Sequence, residues 1–204
     1  MPRFILFFFL LPLIFLTGCS LSPMKVTPMS TYIFSHSSQS IAATPDSHSS
    51  KTLLITTPIA SPGYDSSRMI YVTIPFQLRS FSNHRWAATP AQLLLPLMAD
   101  AIRATHRFHA VVTTPFSGAA YYELNTQLLV LQQEFLQPIS QVRLVVEVTL
   151  QDVTTGRVIA NHVFQVLVPA SENTPYGGVL ATNQAVHQML RKMVRYVNSS
   201  TKLT

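Results

Sequence analysis

The chain predicts an α+β fold: a two-layer sandwich of a mixed or mainly antiparallel sheet with two amphipathic helices on one face. Three observations carry that reading. Residues at alternating polar and apolar positions form long β-type runs between 121 and 168. Two segments, near 90–106 and 175–197, carry apolar stripes at helical spacing instead. Two helices are too few to cover both sides of such a sheet, so they belong together on one side.

The folded part begins near Lys51. Leu53-Leu54-Ile55 reads as a strand stopped by Pro58, and Ser61-Pro62-Gly63-Tyr64-Asp65 has turn chemistry. Met69–Ile74 and Gln77–Phe81 are β-rich, either a hairpin or one bent strand broken at Pro75. The stretch 82–87 is polar apart from Trp86, the only tryptophan. Thr89 then serves as helix N-cap with Pro90 at the first helical position. Leu93, Leu94, Leu97, Met98, Ala101 and Ile102 share one face of that helix, and Pro96 perturbs its first turns.

Phe108–Val112 is a short strand and Tyr121–Leu136 a long one. In the long strand Tyr122, Leu124, Leu128 and Val130 share a face, whereas Leu129, Leu131 and Phe135 load the other. Such a change of phase signals a bulge, or a far end covered on both sides. Val142, Leu144, Val146, Val148 and Leu150 alternate with polar residues as a half-buried strand. Thr154-Thr155-Gly156 turns the chain, and Arg157–Val168 returns as the hairpin partner. The segment 169–174 ends the sheet. In the last helix Val179, Ala185, Val186, Met189, Leu190, Met193, Val194 and Val197 form the stripe. Arg191, Lys192 and Arg195 lie near its C-terminus, where cations suit the helix dipole.

The N-terminus has a different character. Arg3 precedes an apolar run, Phe4 to Leu16, that is too short to span a bilayer and contains Pro12. It ends in Leu16-Thr17-Gly18-Cys19, small residues leading into the chain's single cysteine. This is the pattern of a signal peptide cut between Gly18 and Cys19, and it is similar to the lipobox of bacterial lipoproteins. Residues 1–18 are then removed and Cys19 is acylated on sulfur. Acyl chains anchor at roughly 0.8 kcal/mol per buried CH₂, and two or three chains make the attachment effectively permanent. Ser20, in place of the aspartate that retains many lipoproteins at the inner membrane, points to the outer membrane with the globular part facing the periplasm.

Residues 19–50 are rich in Ser, Thr and Pro and too poor in large apolar groups to offset ordering entropy. They read as a lipidated tether, interrupted by Tyr32-Ile33-Phe34, a candidate short strand that pins it to the domain. The domain proper spans 51–198, with a tail at 199–204. Loss of Arg3 with the signal leaves 13 basic against 8 acidic residues, a net of +5. In an envelope protein this balance suits anionic lipid or acidic protein faces rather than nucleic acid. With Cys19 acylated no disulfide can form, so the fold rests on packing.

Residues along this core resemble the ABC-type transport auxiliary lipoprotein family. They are Arg68-Met69-Ile70-Tyr71, Phe76 to Phe81, Arg85-Trp86-Ala87, Pro90, Leu93-Leu94, Leu128 to Phe135, Val142-Arg143-Leu144, Leu150-Gln151-Asp152, Gly156-Arg157 and Ala181 to Ala185. The resemblance spans roughly 50–198; the Ser-rich stretch 35–50 is longer than the family's usual tether. It implies an accessory lipoprotein without an active site, working beside an ABC lipid transporter. The partner it implies is a periplasmic MCE-domain protein met at the outer membrane, with phospholipid contact and homo-oligomer formation as further expectations. A general envelope-assembly lipoprotein, supporting lipopolysaccharide export or a secretion channel, is the alternative.

No enzymatic or cofactor signature competes with this. The seven histidines, at 36, 48, 84, 106, 109, 162 and 187, are scattered without metal-ligand spacing. Glu123 and Glu134 form no legible acid/base pair. Gly177-Gly178 opens a helix and could cradle an anion, but a plain helix entry is the preferred reading. Trp86, with Arg85, is the candidate partner-binding pair; the competing reading makes Trp86 a core anchor between helix and sheet. Arg191, Lys192 and Arg195 are either a solvated face or a contact for anionic head groups.

Overall fold

The computed structural model of the protein describes residues 28–35 and 49–201. The signal peptide, Cys19 and much of the expected tether lie outside the described residues. Eleven elements are present among the described residues: β1 (Ser30–Tyr32), β2 (Thr52–Ile55), β3 (Ile59–Ala60), β4 (Arg68–Val72), β5 (Arg79–Trp86), α1 (Pro90–Arg103), β6 (Ala110–Thr113), β7 (Tyr122–Glu134), β8 (Gln141–Asp152), β9 (Val158–Pro169) and α2 (Pro175–Ser200). The nine strands form one mixed sheet and the two helices pack against it, the α+β arrangement expected.

β7 is the spine. One of its edges pairs antiparallel with β8 over its whole length, and β8 pairs likewise with β9. Its other edge receives three short strands in succession, all parallel: β2 at Leu53–Ile55, β3 at Ile59–Ala60 and β4 at Tyr71–Val72. Beyond β2 lies β6, and beyond β4 lie β5 and then β1. The β4–β5 pair is the hairpin alternative at Pro75, with β5 running on to Trp86 through residues that look polar in the sequence.

The phase change in β7 is a bulge. Leu128 faces Val146 and Val130 faces Val145, so Leu129 is the extra residue. The shift moves the core-facing set from Tyr122, Leu124, Thr126 and Leu128 to Leu131 and Gln133. Val130, expected on the core face, turns outward for that reason. Without the bulge, alternation would drive Gln132 and Glu134 into the apolar layer. Val142, Leu144, Val146, Val148 and Leu150 of β8 and Phe164, Val166 and Val168 of β9 complete the inner face.

Both helices cover that face and touch each other. Thr89 caps α1 by accepting from the Gln92 amide, while the Gln92 side chain accepts from the Thr89 amide, a reciprocal box not foreseen in the sequence. The helix ends at Arg103 rather than 106, because His106 adopts φ 49° and closes a tight turn onto Arg103. α2 runs three residues past its expected end, so Arg191, Lys192 and Arg195 lie inside the helix and its last turn holds no cation. On the free edge of β9 the Tyr196 hydroxyl donates to the Asn161 carbonyl (2.9 Å) and Lys192 Nζ to that of Gln165 (3.4 Å). These bonds occupy backbone acceptors that an edge strand otherwise leaves open.

At the β8–β9 turn the Asp152 carboxylate accepts from Thr154 Oγ1 (2.6 Å) and from the Thr154 and Thr155 amides. The Thr154 hydroxyl contributes most, and together these donors lower the carboxyl to about 2. Gly156, at φ 69°, completes the turn.

The candidate pinning segment is ordered. Ser30–Tyr32 pairs parallel with His84–Trp86, and Phe34 is buried edge-on against Trp86 with ring centroids 5.0 Å apart. Removing a buried phenyl ring costs about 3–5 kcal/mol. Phe34→Ala is therefore expected to lower the urea-unfolding free energy by about 3 kcal/mol. Because Trp86 is the only tryptophan, its emission should shift to the red in the same variant. Unchanged emission would mean that Phe34 does not shield it.

Candidate interaction surface

Trp86 is 3% exposed and anchors the core between Phe34 and the sheet, so its indole is not offered to a partner. Arg85 does reach solvent, its Nε 3.5 Å from Thr31 Oγ1 on the neighbouring strand. Gly177 and Gly178 answer close packing: a Cβ on Gly177 would stand 2.3 Å from the Glu172 carbonyl oxygen, and one on Gly178 2.2 Å from Gln133 Oε1. Arg191, Lys192 and Arg195 are exposed. Among the described residues no group of three His, Cys, Asp or Glu could hold a metal ion. No helix among them is long and apolar enough to cross a membrane.

Glu123 and Glu134 share the helix-free face but lie at opposite ends of β7, each with its own partners. Glu123 accepts from the side chains of Asn125 (2.9 Å) and Gln151 (3.2 Å). Glu134 receives a two-pronged guanidinium from Arg143 (2.6 and 3.0 Å), plus Gln132 (2.7 Å) and Gln141 (3.2 Å). Burial works most strongly against this carboxylate. The donors from Arg143, Gln132 and Gln141, with the guanidinium charge, outweigh it and hold the carboxyl below its ordinary range. The Tyr64 hydroxyl donates to Gln132 Oε1 (2.6 Å); burial first, then the Glu134 charge, pushes that phenol up.

Farther along this face an open depression of about 390 Å³ is lined by Thr56, Thr57, Ile59, Asn125, Gln127, Glu147 and Thr149. Its groups are hydroxyls and amides around one carboxylate, and Glu147 already accepts from Asn161 Nδ2 (2.9 Å). Such a surface can hydrogen-bond a partner and contains no nucleophile–base pair. Val163 and Leu167 of β9 supply exposed apolar points beside it.

The most unusual local geometry lies in the β4–β5 loop. Gln77 N donates to the Ile74 carbonyl (3.1 Å), Pro75 takes the second turn position, and Phe76 takes the third with φ 67°. That third position belongs by rights to Gly or Asn, whose side chains tolerate the left-handed region. Phe76 instead projects its ring fully into solvent, with Ile74 and Leu78 exposed beside it. The loop is braced rather than slack. Arg79 Nε donates to Gln77 Oε1 (3.2 Å), and Leu78 Cδ1 lies 2.9 Å from where a Cβ on Gly63 would stand.

The sequence profile of the ABC-type transport auxiliary lipoprotein component family matches residues 32–194. The chain belongs to that family. A crystal structure of a protein from Xanthomonas campestris is similar in fold, with TM-score 0.76 at 19% identity, covering 85% of this chain and 98% of that one. An uncharacterised protein gives TM-score 0.66 at 13% identity over 84% and 99%. A hypothetical protein from Chlamydia trachomatis gives 0.54 at 6% identity over 76% and 100%. No curated protein matches the sequence significantly.

As an auxiliary lipoprotein component of ABC-type transport, the protein has a non-enzymatic role, to which the surfaces described above belong. Two of them can be tested directly. Phe76→Asn relieves the left-handed strain and is expected to raise the unfolding free energy by about 1 kcal/mol; a loss of stability would mean that the ring packs on something. Glu134, its carboxyl lowered by folding, stabilises fully above its unfolded value of about 4.3 and loses that contribution as pH falls through the lower folded value. The urea midpoints of wild type and Glu134→Gln should therefore lie farthest apart near neutral pH and converge below about pH 4. An equal gap across that range would exclude the carboxylate charge as the source.

Proposed function

We propose that the protein is the lipid-anchored accessory subunit of an ABC lipid transporter, held at the outer membrane through acylated Cys19 and receiving a periplasmic MCE-domain partner. The family match over 32–194, standing behind a lipobox-like Leu16–Cys19, is the observation that carries this reading. The helix-free sheet face supports it, since an auxiliary subunit without a reaction centre has to act through a surface. That face presents polar side chains already held in place by one another and apolar points at Val163 and Leu167. Arg85, on the exposed side of β5, is a further candidate contact.

A photo-crosslinking amino acid in place of Val163 should capture an MCE-domain protein from intact envelopes, and a Cys19→Ala chain should lose the product through mislocalisation. Crosslinks to unrelated envelope proteins alone would overturn the assignment of partner. A Cys19→Ala chain still lipid-labelled in the same membrane would overturn the anchor.

A further inference from the structure

We propose that the end of the sheet bearing the Phe76 turn rests on the membrane that holds the anchor, with Phe76, Ile74, Leu78, Leu136 and Ile139 seated in the lipid interface. The inference relies on the Cys19 anchor proposed above.

Two loops leave the sheet together at this end. Phe135 N donates to the Val72 carbonyl (2.8 Å), so loop 73–78 and loop 135–140 emerge side by side. Phe76 is fully exposed, and Ile74, Leu78, Leu136 and Ile139 are exposed too. Neither loop contains Asp or Glu, and Arg79 closes the first. The third connection at this end, 170–174, includes Glu172, folded back against Gly177 at the entry to α2. A cluster of exposed apolar side chains on ordered loops gains by leaving water, and apolar groups beside a cation suit a bilayer interface.

The path of the chain identifies the occupant. β5 begins at Arg79, beside the Phe76 turn, and runs away from it; β1 is parallel to β5. The chain therefore enters Ser30 from the direction of the apolar end. Contacts with α2 give the same direction independently. Tyr32 meets Tyr176 near the start of that helix, whereas Ser35 bonds Asn183 and His187 farther along. Ser30 is level with His84, about 17 Å along β5 from Arg79 at roughly 3.3 Å per residue. About 11 residues separate Cys19 from Ser30, a contour of no more than about 40 Å. Subtracting the run back along β5 leaves the anchor within a few tens of Å of the exposed loops, about the scale of half a bilayer. The chain thus enters β1 from the direction of the end whose apolar groups face solvent, and a contour of about 40 Å at most separates Cys19 from Ser30.

Acylation consumes the only native thiol, so Phe76→Cys in the full acylated protein accepts a single environment-sensitive fluorophore. Val158→Cys, exposed at the opposite end of the sheet, serves as the control. Both proteins would be placed in phosphatidylethanolamine–phosphatidylglycerol vesicles containing a lipid-borne quencher. The expected result is co-flotation, with blue-shifted, quenched emission at position 76 and solution-like emission at 158. Co-flotation with solution-like emission at 76, or quenching at both positions, would overturn the orientation while leaving the anchor intact. Absence of flotation would overturn the anchor, and this inference with it. A change at 76 that requires an added periplasmic transporter component would assign the loops to a protein partner instead of the bilayer.

Discussion

Every part of this fold depends on β7 being paired along both edges while it changes face in the middle. The β8 edge is one continuous antiparallel ladder, whereas the opposite edge is shared among three short strands that arrive in sequence order. Sharing one edge lets a chain with few long strands build a broad sheet, but the parallel pairs require long return paths. α1 lies on one of these paths, between β5 and β6. The bulge at Leu129 then sets chemistry at the far end of β7: Glu134 turns out toward Arg143, and Gln133 turns in. Gln133 donates to Ser140 Oγ (2.9 Å) and the Thr174 carbonyl (3.1 Å), tying the spine to the entry of α2. A Cβ on Gly178 would stand 2.2 Å from Gln133 Oε1, so any side chain there would displace that amide from its bonds to Ser140 and Thr174.

The elements governed by periodicity were legible in the sequence. Both helices, the β8–β9 hairpin and the bulge follow from apolar spacing, because burial on one side leaves a period that the residues must obey. Features set by contacts between distant residues were not. The Glu134–Arg143 pair joins positions nine apart whose meeting depends on a register shifted by one residue. β5 extends to Trp86 although its final residues are polar, because it is held by pairing to β4 and β1 rather than by burial of alternate side chains. The Phe76 turn was hidden for another reason. Pro75 marks a turn, but nothing in phenylalanine announces a positive φ, and an apolar residue beside a strand reads as part of it. The sequence leaves Trp86 as either a core anchor or a partner contact, and its burial against Phe34 decides for the core.

Pinning of the segment at Ser30–Phe34 changes the mechanical picture of the tether. Read from composition, residues 19–50 could act as one leash of about 30 residues. With β1 hydrogen-bonded to β5 and Phe34 locked beneath Trp86, only the part before Ser30 lies between the lipid and the fold. Segment 36–48 then bridges two anchored points and adds nothing to the reach. Shortening the leash to the residues before Ser30 restricts where the domain can sit.

The three kinds of surface also differ in what they gain from contact. The inner sheet face is fully used by the helices. The helix-free face is polar and internally satisfied: Glu123, Glu134, Glu147 and Asn161 already share their hydrogen bonds, so drying it recovers little and favours a wet, exchangeable contact. The loop end gains from dehydration, because Phe76 and its neighbours have no polar partners to lose and already face water in a fixed turn. A strained residue that presents a greasy ring to solvent is hard to explain by folding alone, since Gly or Asn in its place would lie more comfortably. On the proposed orientation, a lasting apolar contact at one end and a reversible polar one on the side would let the domain bind a partner without releasing its hold on lipid.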